Sequence, residues 1–392
     1  MAALLSIDEA LARVLARVEP LEREAVPTAD AAGRFLAEDA IATVDLPPFR
    51  SSAMDGYAIR AADTPGTLPV VFRIAAGAPS SSPLEPGQAM AISTGGAVPE
   101  GADAVVPIEV VVERDNNLVV EDSVEPGAHV RSVGGDVERG AVVLAAGARI
   151  GAPQVGALAA AGVATVRAVR QPRVVVLSTG TELRAPGENL APGQIYESNG
   201  AMLAATFAGA GAVVERIGPV PDDEASHRAA LERGLEADVL VSSGGVSVGP
   251  HDLVRRILGE LGAEEDFWGV AVRPGKPLAF SVLGRKLVFG LPGNPVSSLV
   301  SAELFVRPAL HALQGAETPG PHWQVGTLAA PIRRNPARPA LVRARRDGDR
   351  LEALSGQESH MIVRAAGADA LVLVPAGDGE LAAGEQARYL RL

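Results

Sequence analysis

The stretch "DVLVSSGGVSVGPHD", Asp238 to Asp252, joins an apolar, β-branched run to a loop rich in serine and glycine. A loop that only connects two elements does not need this much bare backbone, because each glycine costs conformational entropy on folding. We therefore predict a strand followed by a loop whose N–H groups and hydroxyls hold a bulky anion. A helix that begins near Pro250 would favour negative charge in the same place. The predicted donors are Gly244, Gly245, Ser242, Ser243 and Ser247.

This order of strand, loop and helix occurs four times between residues 172 and 315. Alternation of this kind predicts a parallel sheet with right-handed crossovers, and ligands of such sheets bind at the carboxyl ends of the strands. The four loops are therefore expected along one edge. The predicted strands are "RVVVLS", "AVVERIG", "DVLVSS" and "KLVFGLP", and the predicted helices lie at about 198–208, 222–236, 251–261 and 296–313. The other three loops are "STGTEL" (178–183), "GPVPDDE" (218–224) and "GLPGNPVSS" (290–298).

Carboxylates stand in the same loops as the predicted anion donors. They would repel an anion unless a hard cation bridged the two, and Mg²⁺ takes few protein ligands and shares phosphate oxygens. Glu182 and Asp252, on adjacent loops, are therefore the predicted magnesium ligands. The alternative is that Asp222 and Asp252 are ordinary helix N-caps and that the glycines serve tight turns. Asp223 is the fourth acid of these loops.

A basic turn follows in "FWGVAVRPGKPLAF" (267–280), where strand-like runs flank "RPGKP". Pro274 and Pro277 would stiffen a turn that presents Arg273 and Lys276 to an oxyanion, although a solvated hairpin tip has the same pattern. The chain has 35 basic residues, yet lysine occurs only at Lys276 and Lys286. A lysine that persists where arginine is otherwise used suggests a role that arginine cannot fill, or chance.

The rest of the chain sets the fold class. Residues 6–18 read as an amphipathic helix with a capping box of Ser6 and Glu9. Residues from about 40 to 170 are rich in short strands and turns, with one helical stretch at about 153–161, and short strands return after about 316. The prediction is a multidomain α/β plus β protein.

Composition excludes several classes of function. The net charge is −12 and aromatics make up 3% of the 392 residues, which disfavours nucleic acid as a partner. The sequence contains no apolar run long enough to predict a membrane span, and the N-terminal segment does not have the pattern of a signal peptide. The absence of cysteine excludes protein thiolate chemistry and suits the cytoplasm.

Nine motifs, in order over nearly the whole chain, resemble those of the MoeA family of molybdopterin molybdenumtransferases, whose relatives include the E domain of gephyrin. "MDGYA" and "LPGNPVS" are specific to that family. The motifs are "SSAMDGYAIR" (51–60), "GGAVPEGADAVVPIE" (95–109), "VGGDVERG" (133–140), "STGTEL", "GQIYESN" (193–199), "SSGGVSVGPHD", "RPGKP", "LPGNPVSS" and "SGQESH" (355–360).

The resemblance implies four regions and a homodimer. The regions would be an elongated dimerisation segment (1–45 with 138–170), an inserted β-rich domain (46–137), an α/β molybdopterin-binding domain (171–315) and a small C-terminal β-barrel (316–392). The active site would lie between the α/β domain of one subunit and the inserted domain of the other. Transient contact with the molybdopterin adenylyltransferase is also implied, with no nucleic acid and no membrane partner.

The resemblance also implies the reaction, in which molybdenum from molybdate enters adenylylated molybdopterin with Mg²⁺ and AMP is released. The residues implied as catalytic are Asp55, Glu182, Asp252 and Lys276, with Glu182 and Asp252 as metal ligands. Substrate contacts are implied for Ser178, Gly180, Asp222, Ser242, Gly244, Gly245, Ser247, Pro292, Gly293 and Asn294. Molybdate would be held by Arg273, Lys276, Ser297, Arg343 and Ser359, while Asp55, Thr94 and Asp136 would face the site from the partner subunit.

Three positions depart from the family pattern. Thr181 stands where many members have an aspartate, Gly269 stands where many have a basic residue, and Pro250 replaces a residue that is often acidic or small. The alternatives are a non-catalytic molybdopterin-binding or scaffold paralogue and a nucleotide-dependent α/β enzyme. No G-x-G-x-x-G follows the first strand, which disfavours a dehydrogenase.

Overall fold

The computed structural model describes residues 4–245 and 253–392. The chain forms two compact units. The larger unit consists of residues 1–24, 33–35 and 169–392, and the smaller unit of residues 25–32 and 36–168. The boundaries of the four regions given above stay a prediction.

The first helix begins as the sequence predicts. The Ser6 hydroxyl accepts the N–H of Glu9, and the Glu9 carboxylate accepts the N–H of Ser6 at 2.8 Å. This capping box satisfies two N–H groups that the helix leaves unpaired. The α-helices of the described residues are α1 (Ile7–Ala16), α2 (Ala152–Ala160), α3 (Asn199–Gly209), α4 (Glu224–Gly234), α5 (Leu253–Glu260), α6 (Pro295–Ser301), α7 (Arg307–Leu313) and α8 (Ile362–Ala365).

A six-stranded sheet is the centre of the larger unit. The four strands predicted from sequence are parallel, which confirms that their carboxyl ends meet at one edge. Two antiparallel strands on either side of the "RPGKP" turn extend the sheet. In spatial order the strands are Val213–Val220, Arg173–Thr179, Val239–Ser243, Lys286–Leu291, Ala279–Leu283 and Glu264–Trp268. A short parallel pair, Leu183–Arg184 with Ile195–Tyr196, follows the first strand.

Both faces of the sheet are covered, which explains the unbroken apolar runs of its strands. In Arg173–Thr179, Val174 and Val176 belong to one core cluster, while Val175 and Leu177 belong to the other. Residues of α1, α3 and α7 pack in the first cluster, and residues of α4 and α5 pack in the second.

The helix predicted at about 296–313 contains a change of pitch. Pro295–Ser301 and Arg307–Leu313 are α-helical, whereas Ala302–Val306 between them is π-helical. Sequence periodicity does not reveal a single wide turn inside an otherwise regular apolar pattern.

The C-terminal strands close into a five-stranded barrel, as predicted. In order around the barrel they are Gln324–Leu328, Arg350–Ala353, Ala340–Asp347, Ala370–Val374 and Gln386–Arg391. Ile332–Arg333 pairs with Glu380–Leu381 beside it.

The smaller unit contains a mixed six-stranded sheet, in agreement with the strand-rich prediction. Its spatial order is Ala104–Pro107, Gly56–Ile59, Ala89–Ile92, Gly66–Ile74, Asn117–Val120 and Val112–Arg114. Short pairs accompany it, namely Ser51–Ser52 with Val130–Arg131 and Ala40–Ile41 with Val142–Leu144. Arg23–Pro27 pairs with Thr165–Val169. The 3₁₀ helices are Thr28–Asp30, Ala61–Asp63 and Ile108–Val110.

Candidate functional site

The loops after the first and second strands are joined by hydrogen bonds. Thr181 donates its N–H and its hydroxyl to the Asp222 carboxylate, and Gly180 donates its N–H to the carbonyl of Val220. Asp222 is not the N-cap of α4, since Asp223 takes that role by accepting the N–H of Ser226 at 2.8 Å. The N-cap alternative is therefore wrong for Asp222, whose carboxylate faces the first loop.

In the first loop, the Glu182 carboxylate lies directly over the backbone of Gly180. Gly180 has a φ of +147°, and a Cβ there would lie 2.6 Å from an oxygen of the Glu182 carboxylate. Only glycine gives this carboxylate room to fold back over the loop. Glu182 is exposed, and Ser178 at the end of the strand is buried. A cavity of about 430 Å³ lies beside the loop and is lined by Gly180, Thr181, Glu188, Pro219 and Pro221, among others.

The loops after the third and fourth strands approach each other closely. The N–H of Gly244 donates to the carbonyl of Leu291, and a Cβ added at Gly293 would lie 4.0 Å from the Cα of Gly244. Gly244 and Gly245 both have positive φ, at +96° and +67°, so both need glycine. The structure thus brings Ser242, Gly244, Gly245 and Gly293 together. Ser247 and Asp252 lie outside the described residues.

Two functional candidates in "GQIYESN" were missed as site residues. Asn199 donates its carboxamide N–H groups to the Ser243 hydroxyl at 2.8 Å and to the Gly293 carbonyl at 2.7 Å. Glu197 is 4% exposed and accepts the N–H of Gly200 at 2.6 Å. The sequence shows that Glu197 stands just before a helix start, but its burial, which requires a partner, is visible only in the fold. Only the fold reveals that Asn199 reaches two other loops.

The "RPGKP" turn presents both predicted cations to solvent. Arg273 and Lys276 are exposed, and neither side chain forms a hydrogen bond or ion pair within the described residues. Gly275 has a φ of +117° and packs beside Ser301 and Ser297 of α6. The Arg273 backbone pairs with barrel residue Ala340, donating to the Pro339 carbonyl at 2.9 Å and accepting from Leu341 at 2.8 Å. The turn is therefore fixed to the barrel as well as to the sheet.

Arg343 has a different environment from the exposed cations. Its side chain is 1% exposed and donates to the carbonyls of Gly356, Glu358 and Met361 at 2.5, 3.2 and 2.6 Å. Burial lowers the pKa of its guanidinium below the ordinary value. In this arrangement Arg343 holds the loop that carries Ser359 and is not presented as an open anion donor.

The Ser359 loop meets the start of α6. The Ser359 carbonyl accepts the N–H of Val296 at 3.0 Å, in the first turn of that helix. Ser297 is 5% exposed there, and Asn294 at the N-cap makes no side-chain capping bond. The Pro292 carbonyl accepts the Ser298 hydroxyl. The predicted residues of the fourth loop and the barrel loop are thus neighbours.

The smaller unit holds the remaining predicted residues. The Asp55 carboxylate accepts the N–H of Thr94 at 2.6 Å and its hydroxyl at 2.9 Å. These bonds favour the carboxylate over the carboxylic acid and so lower the pKa of Asp55 below its ordinary value. Asp55 also lines a cavity of about 270 Å³ with Tyr57, Arg73 and Ser93, among others. Asp136 is exposed on a separate turn and donates its N–H to the carbonyl of Leu46.

Family models match three successive parts of the chain. Residues 5–162 match the MoeA N-terminal region (domain I and II), residues 175–312 a probable molybdopterin binding domain, and residues 325–392 the MoeA C-terminal region (domain IV). The chain is 38% identical over 376 residues to molybdopterin molybdenumtransferase 2 of Mycobacterium tuberculosis, covering 92% of this chain and 93% of the relative. The chain belongs to the MoeA family of molybdopterin molybdenumtransferases. It is therefore a transferase of molybdenum cofactor biosynthesis.

Other members of the MoeA family agree. The molybdopterin molybdenumtransferase of Haemophilus influenzae is 38% identical over 317 residues, which cover 80% of this chain and 78% of the relative. A solved structure of the molybdopterin biosynthesis MoeA protein of Pyrococcus horikoshii matches with a TM-score of 0.85 at 28% identity and covers 100% of both chains. The predicted fold class is thereby confirmed.

The MoeA-type sheet edge has the donor chemistry that Mg²⁺ prefers. Glu182 offers an exposed carboxylate that forms no ion pair with a described residue. Within residues 4–245 and 253–392, no cluster of three or more His, Asp or Glu side chains could hold a metal ion. A site with one or two carboxylates, completed by phosphate oxygens and water, fits Mg²⁺ and does not fit metals that need a full protein cage.

The helices of the described residues are all too short or too polar to cross a membrane.

Proposed function

We propose that this chain transfers molybdenum from molybdate to adenylylated molybdopterin in a Mg²⁺-dependent reaction that releases AMP. The observation that carries the proposal is the convergence of four strand-end loops, which combine bare glycine backbone, hydroxyls and acids beside a turn with two exposed cations. A ligand that bears a pyrophosphate and a second oxyanion matches this combination.

The loop glycines and serines would bind the pyrophosphate. Their N–H groups and hydroxyls donate without adding bulk, and the low side-chain volume at Gly244 and Gly293 leaves space for phosphate oxygens. Ser178, Gly180, Ser242, Pro292 and Asn294 lie on the same loops and would shape the walls of this site.

Glu182 and Asp252 would hold Mg²⁺ on the pyrophosphate. When bound there, Mg²⁺ withdraws electron density from phosphorus and makes AMP a better leaving group. Asp222 would keep the first loop in place through Thr181.

Arg273 and Lys276 would bind molybdate, a tetrahedral dianion, because they are the exposed cations of the turn. Ser297 and Ser359 would contribute from α6 and the barrel loop, and Arg343 would hold that loop in place. The two dithiolene sulfurs that receive molybdenum belong to the substrate, so a protein without cysteine can host the reaction.

We also propose a homodimer whose active site takes Asp55, Thr94 and Asp136 from the partner subunit. The four regions with the predicted boundaries would organise this dimer. Because the substrate is an adenylylated compound, an adenylyltransferase must supply it, and a transient contact with that enzyme would protect it from hydrolysis.

The proposal is tested by measuring AMP release from adenylylated molybdopterin with and without molybdate and Mg²⁺. We expect release that requires Mg²⁺ and increases with molybdate. Binding of molybdopterin without AMP release would contradict the proposal and favour the scaffold alternative.

A further inference from the structure

Asn199 connects three segments of the sheet edge. It is the first residue of α3, which lies between the first and second strands, and its carboxamide donates to the third loop at Ser243 and to the fourth at Gly293. We propose that Asn199 is the positioning residue that sets the separation of these two loops, and so the fit of the phosphate-bearing end of the substrate. The substrate part of this inference rests on the proposed function.

The direction of both hydrogen bonds is fixed by the partners. The Gly293 carbonyl can only accept, so the amide nitrogen of Asn199 must face it, and the same nitrogen reaches Ser243. Since the Ser243 hydroxyl accepts from Asn199, its own proton is directed elsewhere and can serve as a donor. The carboxamide thus influences the direction of the Ser243 hydroxyl as well as the position of the third loop.

Asn199 is itself held rigidly. The neighbouring Glu197 carboxylate is buried, accepts the N–H of Gly200 and pairs with Arg216 at 3.2 Å. A Cβ added at Gly200 would lie 2.9 Å from the Ser178 hydroxyl, so the start of α3 packs directly against the end of the first strand. A side chain anchored in this way can impose its position on the loops that it contacts.

The oxygen atom of the Asn199 carboxamide also indicates which groups orient the side chain. The Asn199 Oδ1 atom is buried and has no hydrogen-bond donor among the described residues. A buried acceptor without a partner is destabilising, and rotation of the amide would only transfer the mismatch to Gly293. Within the described residues, the amide orientation is therefore fixed by the two loop contacts and not by a partner of the oxygen.

The test compares Asn199→Asp with Asn199→Ala. Aspartate keeps the shape but presents oxygen to the Gly293 carbonyl, whereas alanine only removes the bonds. We expect the KM for adenylylated molybdopterin to rise about 10-fold in Asn199→Ala and about 30-fold in Asn199→Asp. The kcat and the KM for molybdate should change by less than about 3-fold. A packing role alone gives the reverse order, with aspartate close to the wild type, and would overturn the inference.

A second measurement does not depend on the reaction. Amide hydrogen exchange at Gly244, whose N–H bonds to Leu291, should be faster in both Asn199 variants without ligand. Asn117→Asp changes an exposed asparagine at the start of the strand Asn117–Val120, which bonds to Asp115, and serves as the matched control. If the wild type releases no AMP, the proposed function fails while the exchange result still decides the role of Asn199. Unchanged exchange at Gly244 would contradict that role.

Discussion

Thr181 donates both its backbone N–H and its hydroxyl to the same carboxylate oxygen of Asp222, and both distances are 3.1 Å. The two residues stand on loops that follow neighbouring strands, so this pair connects two of the four loops at the sheet edge. Thr181 is also one of the departures from the family pattern. The neutral hydroxyl avoids a like-charge contact with Asp222 that an aspartate at this position would create.

We expect Thr181→Val to lower kcat/KM for AMP release by about 3- to 10-fold, because one bond to a charged acceptor is lost at an exposed position. The backbone N–H bond remains, so the thermal midpoint should change little. Thr327→Val removes the comparable hydroxyl bond to Asp349 in the barrel and should leave kcat/KM unchanged. Equal effects of the two substitutions would argue against a role for the Thr181–Asp222 pair.

Glu182→Gln should raise the Mg²⁺ concentration needed for half-maximal AMP release by at least about 10-fold, since a neutral amide binds a hard cation poorly. Its fold should stay intact because the side chain is exposed. Asp252→Asn should behave similarly. Glu232→Gln, which changes an exposed carboxylate of α4, is the control and should titrate with Mg²⁺ as the wild type does. Wild-type Mg²⁺ dependence in both site variants would disprove the metal assignment.

Lys276→Arg should impair molybdate use almost as much as Lys276→Ala, although it conserves charge. An ammonium is compact, whereas a planar guanidinium does not fit every contact with a tetrahedral oxyanion. Loss of one charge-assisted contact costs about 1.5–3 kcal/mol, or roughly 10- to 150-fold in apparent molybdate affinity.

The other lysine provides a matched control for that titration. Lys286 donates to the Ala237 carbonyl at 3.2 Å, away from the turn, and Lys286→Arg should titrate molybdate like the wild type. A Lys276→Arg protein that also titrates like the wild type would mean that only charge matters at this position.

Thr94 is expected to control the ionisation of Asp55. Its two hydrogen bonds favour the carboxylate, which lowers the folded-state pKa of Asp55 below the ordinary value. The resulting stabilisation is present above the unfolded-state pKa and is lost as pH falls through the folded-state pKa. Thr94→Val keeps the backbone bond, so the pKa should rise only part of the way.

The pKa of Asp55 is measured from the carboxyl carbon resonance during an acid titration. Thr67→Val, on a strand of the same unit, should leave this titration unchanged. If Thr94→Val also leaves it unchanged, the hydroxyl bond does not contribute to the low pKa.

Mixed dimers test the shared active site. Asp55→Ala and Lys276→Ala subunits should each be weakly active alone and should regain part of the activity when mixed, because one site in each heterodimer would have both residues intact. Subunit exchange must be shown independently, for example by mass spectrometry of labelled chains. Activity that never exceeds that of the parents in an exchanged sample would count against residues from two subunits meeting in one site.

The parallel sheet and its loops were predictable from the sequence because each depends on local patterns, whereas the closure of the C-terminal strands into a barrel was implied only by the family resemblance. The runs at Arg173–Thr179 and Val239–Ser243 are apolar on both faces, and the glycines that follow mark where strands end. Ser6 and Glu9 fixed the start of α1 in the same local way.

The missed features depend on contacts between residues far apart in the chain. Asn199 bonds to Gly293, which lies 94 positions further along the chain. Arg343 is buried and donates to the carbonyl of Gly356, 13 positions further along. An arginine in a sequence gives no sign of whether it will be buried, and the molybdate-binding role of Arg343 was implied only by the family resemblance. Only the hydrogen bonds to Gly356 and Met361 reveal its support of the loop.

The pairing of the Arg273 backbone with Ala340 has a consequence for protein engineering. The turn that presents Lys276 pairs with a strand of the barrel, so the turn and that strand depend on each other's sequence. A chimera that took its barrel from another family member would have to take residues 273–277 from the same donor. A crossover between residues 277 and 340 would leave the turn with a foreign neighbour and misplace the lysine, even if both halves folded well.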